Sequence, residues 1–328
     1  MTLAKLAELV GVSVSTVSKA FSGSHEISEE TRERIYSVAK KEGCYDKYYK
    51  GKRKRPLVAL IYPESESEYY AREIGIFEKE IFKRGADTLV AFAHFDPERV
   101  ESFFRELAYN TGVDGIIVRD CLRKLRNPDG IPLAVIGSKA ANVEYANRFT
   151  VDFESAIRDL VGTLKDFGHN RIGFIGDALT NLKLSAFKSA MRYHGLPIHE
   201  KFIAVSKKRF AEAGEEGMKA ILRSDTKTTV VLCGYDNIAY GAMSCVTSMG
   251  ISVPTDMSFV GIDDLTINNY SPTGLTSLRV CVSDFTEKII ESLFRRIEGK
   301  SVASCSVEKI PITLVIRDTL AKIDSDGK

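Results

Sequence analysis

The stretch GVSVSTVSKAFSG, residues 11–23, decides how the chain begins. Val14, Val17 and Phe21 recur at roughly one helical turn, the spacing of an inward-turning stripe on a short helix. Ser13 is a good N-cap for that helix and Gly23 closes it. Ser15, Thr16, Ser18 and Lys19 are then left largely outward. Before it, Leu3, Leu6, Ala7 and Val10 mark a first helix, capped by Thr2 and ended by Gly11. After it, Ser28 caps a third helix, with Glu29 and Glu30 in its first turn, where the helix dipole favours anions. Ile35, Val38 and Ala39 give that helix its buried stripe, and Gly43 ends it. Short helices with a tight turn between the first two form the helix-turn-helix pattern, whose second helix enters the major groove by its N-terminal residues. The Val14 methyls suit a thymine methyl, Ser15 can donate or accept, and Lys19 can reach guanine O6 and N7. Ser13, Thr16 and Ser18 suit phosphates and permit close approach. Taken alone, the same pattern also describes a small helical bundle with these residues as exposed polar positions.

Further matches narrow the choice. The run TLAKLAELVGVSVSTVSKAFSGSHEISEETRERIYSVAKKEGCY contains an A-x-x-x-G-V-S core at Ala7, Gly11, Val12 and Ser13. It continues with T-V-S-K at Thr16 to Lys19, then ISEETRERI, and closes with GCY. It closely resembles the N-terminal domain of the lactose-repressor (LacI/GalR) family of bacterial regulators. The resemblance implies that Val14, Ser15 and Lys19 read bases while Ser13, Thr16 and Ser18 touch the DNA backbone.

Charge agrees with a polyanion-binding head. Residues 1–55 carry 12 Lys and Arg against 7 Asp and Glu, leaving 34 against 37 in the rest of the 328-residue chain. With 44% apolar and 27% charged residues, this is an ordinary globular composition and long enough for more than one domain. The six cysteines are scattered without C-x-x-C spacing, which reads as reduced thiols and no zinc site. No apolar run reaches membrane-spanning length and no signal peptide opens the chain, so a cytoplasmic location without membrane contact is expected.

After GCY the sequence departs from the family. The usual P-N-x-x-A-x-x-L hinge helix, which wedges a Leu into the minor groove, is missing, and the linker is about four residues shorter. In its place KGKRKR (residues 50–55) supplies Lys52, Arg53, Lys54 and Arg55, a strip for phosphates or a narrow minor groove. Tyr48 or Tyr49 is a candidate replacement for the wedge, and a solvated tether is the alternative reading of the whole stretch.

From Leu57 onward buried strand-like runs alternate with helical segments, first at 57–62, 88–94, 115–118 and 133–137, then again at 171–176, 228–234 and 257–263. Such alternation implies parallel sheets with helical crossovers, and its restart implies two lobes. FGHNRIGFIGD, GAMSCVTSMGISVPTDMSFVGIDD, SPTGLTSLRV and LVIRDTL resemble the family's ligand-binding core, the periplasmic-binding-protein-like type I fold. The expected fold is therefore α/β, with a three-helix head at 1–46, a basic linker at 47–56 and a two-lobed core at 57–320. One lobe is expected to comprise 57–150 and 277–306, the other 151–276 and 307–320.

Ligands of such sheets bind beyond the carboxyl ends of the strands, here in the cleft between lobes. That position selects Tyr69, Tyr70, Asp120, Gly137, Ser138, Asn181, Lys183, Tyr235, Asp236 and Asp263. By resemblance Asp263, the first acid of GIDD, accepts hydrogen bonds from ligand hydroxyls or ring N–H groups. The family's frequent cleft Arg falls near Asn181, its Asn before Asp236 is Tyr235, and its Asp after the fourth strand is Gly137. Fewer charged contacts and more aromatic ones favour an effector other than a common sugar, such as a ring-containing metabolite.

The expected protein is a sequence-specific regulator of transcription, a repressor, acting as a homodimer on a near-palindromic operator under control of a small-molecule effector. Neither cofactor nor metal is expected. A regulator of the same fold that has lost effector control remains an alternative. An enzyme fits less well, because no G-x-x-x-x-G-K-[ST] loop occurs, and the basic head argues against a secreted solute-binding protein.

Overall fold

A computed structural model describes residues 1–22, 24–49, 55–120, 125, 127, 130–137, 146–224, 227–300 and 307–323. The chain opens with α1 (Leu3–Val10), α2 (Val14–Phe21), α3 (Glu29–Lys41) and a short α4 (Tyr45–Tyr49). The three N-caps and the glycine that ends α1 act as expected, while Gly23, read as the end of α2, lies outside the described residues. The Thr2 side chain accepts from Lys5 N–H, that of Ser13 from Thr16 N–H and that of Ser28 from Thr31 N–H. Gly11 ends α1 with φ +72°, a left-handed conformation that costs glycine nothing. Leu6, Ala7, Val17, Ala20, Ile35, Tyr36 and Ala39 form the buried centre, and the Tyr36 hydroxyl donates to Ala20 O at 2.6 Å.

The body begins with β1 (Leu57–Tyr62), α5 (Glu68–Lys83), β2 (Asp87–Phe92) and α6 (Pro97–Arg105), which runs into a π-helical turn over Glu106–Thr111. It continues with β3 (Gly115–Arg119), β4 (Leu133–Gly137) and β5 (Ala146–Val151). A second alternation follows: α7 (Phe153–Asp166), β6 (Ile172–Asp177), α8 (Asn181–Tyr193), β7 (Ile203–Ser206), α9 (Phe210–Leu222), β8 (Val230–Cys233), α10 (Asp236–Ser248), β9 (Ser258–Ile262) and β10 (Thr276–Val280). The chain then adds α11 (Val282–Ile297), β11 (Val307–Ile310) and β12 (Ile312–Val315).

The strands make two six-stranded sheets, in the orders β11-β5-β4-β3-β1-β2 and β12-β10-β9-β8-β6-β7. Pairing is parallel from β5 to β2 and from β10 to β7, while β12 runs antiparallel to β10. β1, β3, β4, β6, β8 and β9 are buried almost throughout, as strands covered by helices on both faces must be.

The chain separates into one unit of Met1–Thr150 with Val282–Lys309 and another of Val151–Cys281 with Ile310–Lys328. The first division falls after Thr150. The other two lie later than expected, after 281 and 309 rather than 276 and 306. The cause is strand pairing. Thr276–Val280 hydrogen-bonds to β9 and β12 in the second sheet, and Val307–Ile310 extends the first.

Candidate nucleic-acid interface and effector-binding residues

α2 turns its polar edge away from the head's centre. Val17 and Ala20 are fully buried, whereas Ser13, Ser15, Ser18 and Lys19 are exposed and Thr16 is half-buried. Val14 corrects the inward stripe: it is 47% exposed, because the packed face is set by Val17 and Ala20 and Val14 lies at the helix start. Ser13 Oγ lies 2.8 Å from Ser15 Oγ and 2.7 Å from Thr16 Oγ1, a hydroxyl cluster at the helix N-terminus. Positive helix-dipole charge and hydroxyl donors coincide there, a combination suited to a phosphate. The Lys19 ammonium is ion-paired with the Glu26 carboxylate on the loop after α2, a partner that reading α2 alone did not supply.

Of the basic strip, Lys52, Arg53 and Lys54 lie outside the described residues. Arg55 is held on the body. It donates from Nε to Gly85 O at 3.0 Å and from Nη2 to Ala86 O at 3.0 Å, lies 3.3 Å from Asp87 and stacks on the Phe82 ring. Tyr48 is committed to the head. Its ring packs 5.5 Å from that of Phe21 and its hydroxyl donates to Met1 O, which overturns its reading as a free wedge. The side chain of Tyr49 lies outside the described residues.

At the carboxyl edge of the first sheet, Arg119 ends β3 and organises its neighbours. Its Nε donates to Glu73 Oε1 at 3.0 Å, Nη2 donates to the Tyr69 hydroxyl at 3.1 Å, and Nη1 lies 2.7 Å from Asp120 Oδ1. The Tyr70 hydroxyl donates to Asp120 Oδ2 and the Tyr62 hydroxyl to Glu73 Oε1, both at 2.8 Å. Burial disfavours the Arg119 charge, but Asp120 and Glu73 outweigh it and hold its pKa well above the ordinary value. Burial and then Asp120 push the Tyr70 hydroxyl well up, so it stays a donor. Tyr69 is buried and Tyr70 half-buried, so the pair divides into a packed ring and a more open one. The structure thus brings Tyr69, Tyr70 and Asp120 together around an Arg that the sequence reading missed. Its signal was a cation continuing the apolar run GIIV. Gly137 ends β4 beside β3, and Ser138 lies outside the described residues.

The second sheet carries its own set. The Tyr235 hydroxyl donates to the buried Asp177, which lies 3.7 Å from Arg209 Nε. Burial and this hydrogen bond raise the Tyr235 pKa. Lys183 donates to Gly234 O at 2.7 Å, lies 3.8 Å from Asp263 Oδ1 and sits over the rings of Phe153 and Tyr235. Asn181 opens α8 at the surface, with its amide donating to Ala178 O. Asp263 has φ +110°, rare for a residue with a side chain and a mark of backbone strain.

Asp236 does not face a ligand. It is 0% exposed and accepts from Ser277 Oγ at 2.6 Å, Leu265 N–H at 2.7 Å and Asn268 Nδ2 at 2.8 Å, so its carboxylate ties α10 to the loop after β9. A Cβ at Gly261 would come 2.1 Å from its Oδ1, so that position must be glycine. The adjacent Asp264 is held by Arg279 and Arg317, each at 2.7 Å. Burial opposes its ionisation, yet hydrogen bonds from Arg317, Arg279 and Asn268 keep its pKa low.

A helical head with a polar, cation-bearing edge on its second helix, followed by two parallel α/β sheets, defines a DNA-binding regulator with a ligand-binding type of core. Residues 2–44 match the description "Bacterial regulatory proteins, lacI family", and residues 161–320 match "Periplasmic binding protein-like domain". The chain is 27% identical over 335 residues to the transcriptional repressor PurR of Klebsiella pneumoniae, covering 98% of this chain and 97% of that one. The crystal structure of the Escherichia coli repressor AscG superposes with TM-score 0.70 at 22% identity, covering 81% of this chain and 99% of that one. A LacI-type regulator from Alkaliphilus metalliredigens, complexed with D-xylulofuranose, gives TM-score 0.68 at 19% identity over 80% and 98% of the two chains. The chain thus joins a lacI-family DNA-binding domain to a periplasmic-binding-protein-like domain, and the relatives it matches along nearly their whole length are transcriptional repressors.

Asp236 has a testable signature. Burial first, and then the Asp263 charge, push its pKa up to about 7, against the three hydrogen bonds that it accepts. In the unfolded chain an Asp titrates near 3.9, roughly. The native state therefore binds the extra proton between about pH 4 and pH 7, and this contribution to stability falls as pH rises through that window. Asp236→Asn replaces an acceptor by a donor and should destabilise by about 1–3 kcal/mol. Urea titrations should find the deficit larger at about pH 5 than at about pH 8, since only the wild type titrates there. An equal deficit at both values would show that the carboxyl is ionised across the range.

Proposed function

We propose that this repressor reads its operator through Val14, Ser15 and Lys19 of α2, with Ser13, Thr16 and Ser18 on the flanking phosphates. The observation that carries this reading is the polar edge of α2, exposed opposite the buried Val17 and Ala20. Two copies bind as a homodimer on a near-palindromic site in the cytoplasm, so that each head meets one half-site. Lys52, Arg53 and Lys54 add sequence-independent contacts to phosphates. Arg55 anchors the end of the linker to the body through Gly85, Ala86 and Asp87.

A small-molecule effector biases DNA affinity, without a catalytic step, and residues at the carboxyl edge of each sheet are its candidate contacts. Tyr70, Asp120, Lys183, Tyr235 and Asp263 supply rings, acceptors and a cation suited to a hydroxyl-bearing or ring-containing metabolite. Regulation of this kind needs different effector affinities in the two DNA-binding states.

Lys19→Ala should relax base preference at one operator position and weaken specific binding by an amount on the order of 1–3 kcal/mol. Anisotropy titrations with single-base operator variants measure this, and an equal loss on operator and random duplex would contradict base reading. A metabolite screen by thermal shift should find a ligand that raises the melting temperature of the wild type. Asp263→Asn should reduce that shift and leave binding of the unliganded protein to DNA intact. If the variant binds the ligand unchanged, Asp263 has no part in effector binding.

A further inference from the structure

The head contains a carboxylate where DNA affinity alone would exclude one. Glu26 lies on the loop between α2 and α3, and its side chain is 69% exposed beside the Lys19 ammonium that it pairs with. The loop is fixed. Arg32, itself buried, donates to Ser24 O at 2.6 Å, Glu26 N–H donates to Ser24 Oγ at 3.3 Å, and Ser24 N–H donates to Lys19 O at 3.1 Å. These bonds fix the backbone on either side of Glu26 beside the C-terminal half of α2, which brings its carboxylate within reach of Lys19.

Resting on the proposed base-reading role of Lys19, we propose that Glu26 is a specificity-determining residue, which penalises non-specific DNA more than the operator. An ammonium has three donors and no acceptor. At the operator, Lys19 can keep one N–H on Glu26 and aim the others at guanine O6 and N7, so the carboxylate stays neutralised inside the groove. On an arbitrary sequence those acceptors are missing from that base pair. Lys19 would then turn to a phosphate, and doing so strips Glu26 of its partner and leaves an uncompensated carboxylate in the field of the DNA backbone. Glu26 also aims Lys19, because the charge-assisted bond selects among the rotamers of a flexible side chain.

The test compares two duplexes: one selected by the full-length protein from a random-sequence pool, and one of equal length with that sequence scrambled. Glu26→Gln should tighten binding to the scrambled duplex several-fold and change binding to the selected one much less, so the ratio of the two affinities falls by roughly three- to tenfold. Glu26→Ala should do the same. In a Lys19→Ala background the effect of Glu26→Gln on that ratio should vanish. Glu30→Gln removes an exposed acid elsewhere on the head and serves as the charge control. It should tighten both duplexes equally and leave the ratio alone. The proposal is overturned if Glu26→Gln shifts both duplexes equally or neither, if it raises the ratio, if its effect persists without Lys19, or if Glu30→Gln lowers the ratio as much. A pool that yields no preferred sequence removes the base-reading role itself, and this proposal with it. A clear preference left unaltered by Glu26→Gln removes only this proposal.

Discussion

The burial of Val17 and Ala20 is the constraint on which the rest depends. α2 is eight residues long, too short to persist in water on its own helix propensity. It exists because those side chains pack into the head, because Ser13 satisfies its first turn, and because the Tyr36 hydroxyl binds Ala20 O from the neighbouring helix. Once that face is fixed, the opposite edge has no freedom in what it presents. Ser15, Ser18 and Lys19 point outward as a consequence of where the packed residues fall. Presentation of that edge therefore rests on hydrophobic packing as well as on the polar residues themselves, and Tyr36 contributes to it through Ala20.

Much of this was legible because it is local. Caps act over three residues and glycine ends act within one turn, so Thr2, Ser13, Ser28, Gly11 and Gly43 could be read directly. Buried parallel strands also read well, since an unbroken apolar run such as LVALIY has no solvated face to disguise it. What was missed is non-local. β10 looks like any short mixed run, and only its pairing with β9 and β12 assigns it to the second sheet. Arg119 and Glu73 are 46 residues apart in sequence, and Ser277 and Asp236 are 41 apart. Spacing along the chain says nothing about such pairs. Asp236 was read as a ligand contact because it follows a strand, yet three donors from the fold already occupy it.

The carboxyl edges of the sheets share an electrostatic habit. Arg119 is matched by Glu73 and Asp120, Arg209 by Asp177, Lys183 by Asp263, and Arg279 and Arg317 by Asp264. Burying such charges costs desolvation, which the partner and the added hydrogen bonds offset in part.

The central claim is that the outer edge of α2 lies in the major groove. Methylation protection on a duplex selected by the full-length protein tests it directly, since guanine N7 opens onto that groove and adenine N3 onto the other. Seating of α2 predicts loss of guanine N7 reactivity in two short patches about one helical turn, or a multiple of it, apart. Protection confined to adenine N3, or spread evenly along the duplex, would contradict it.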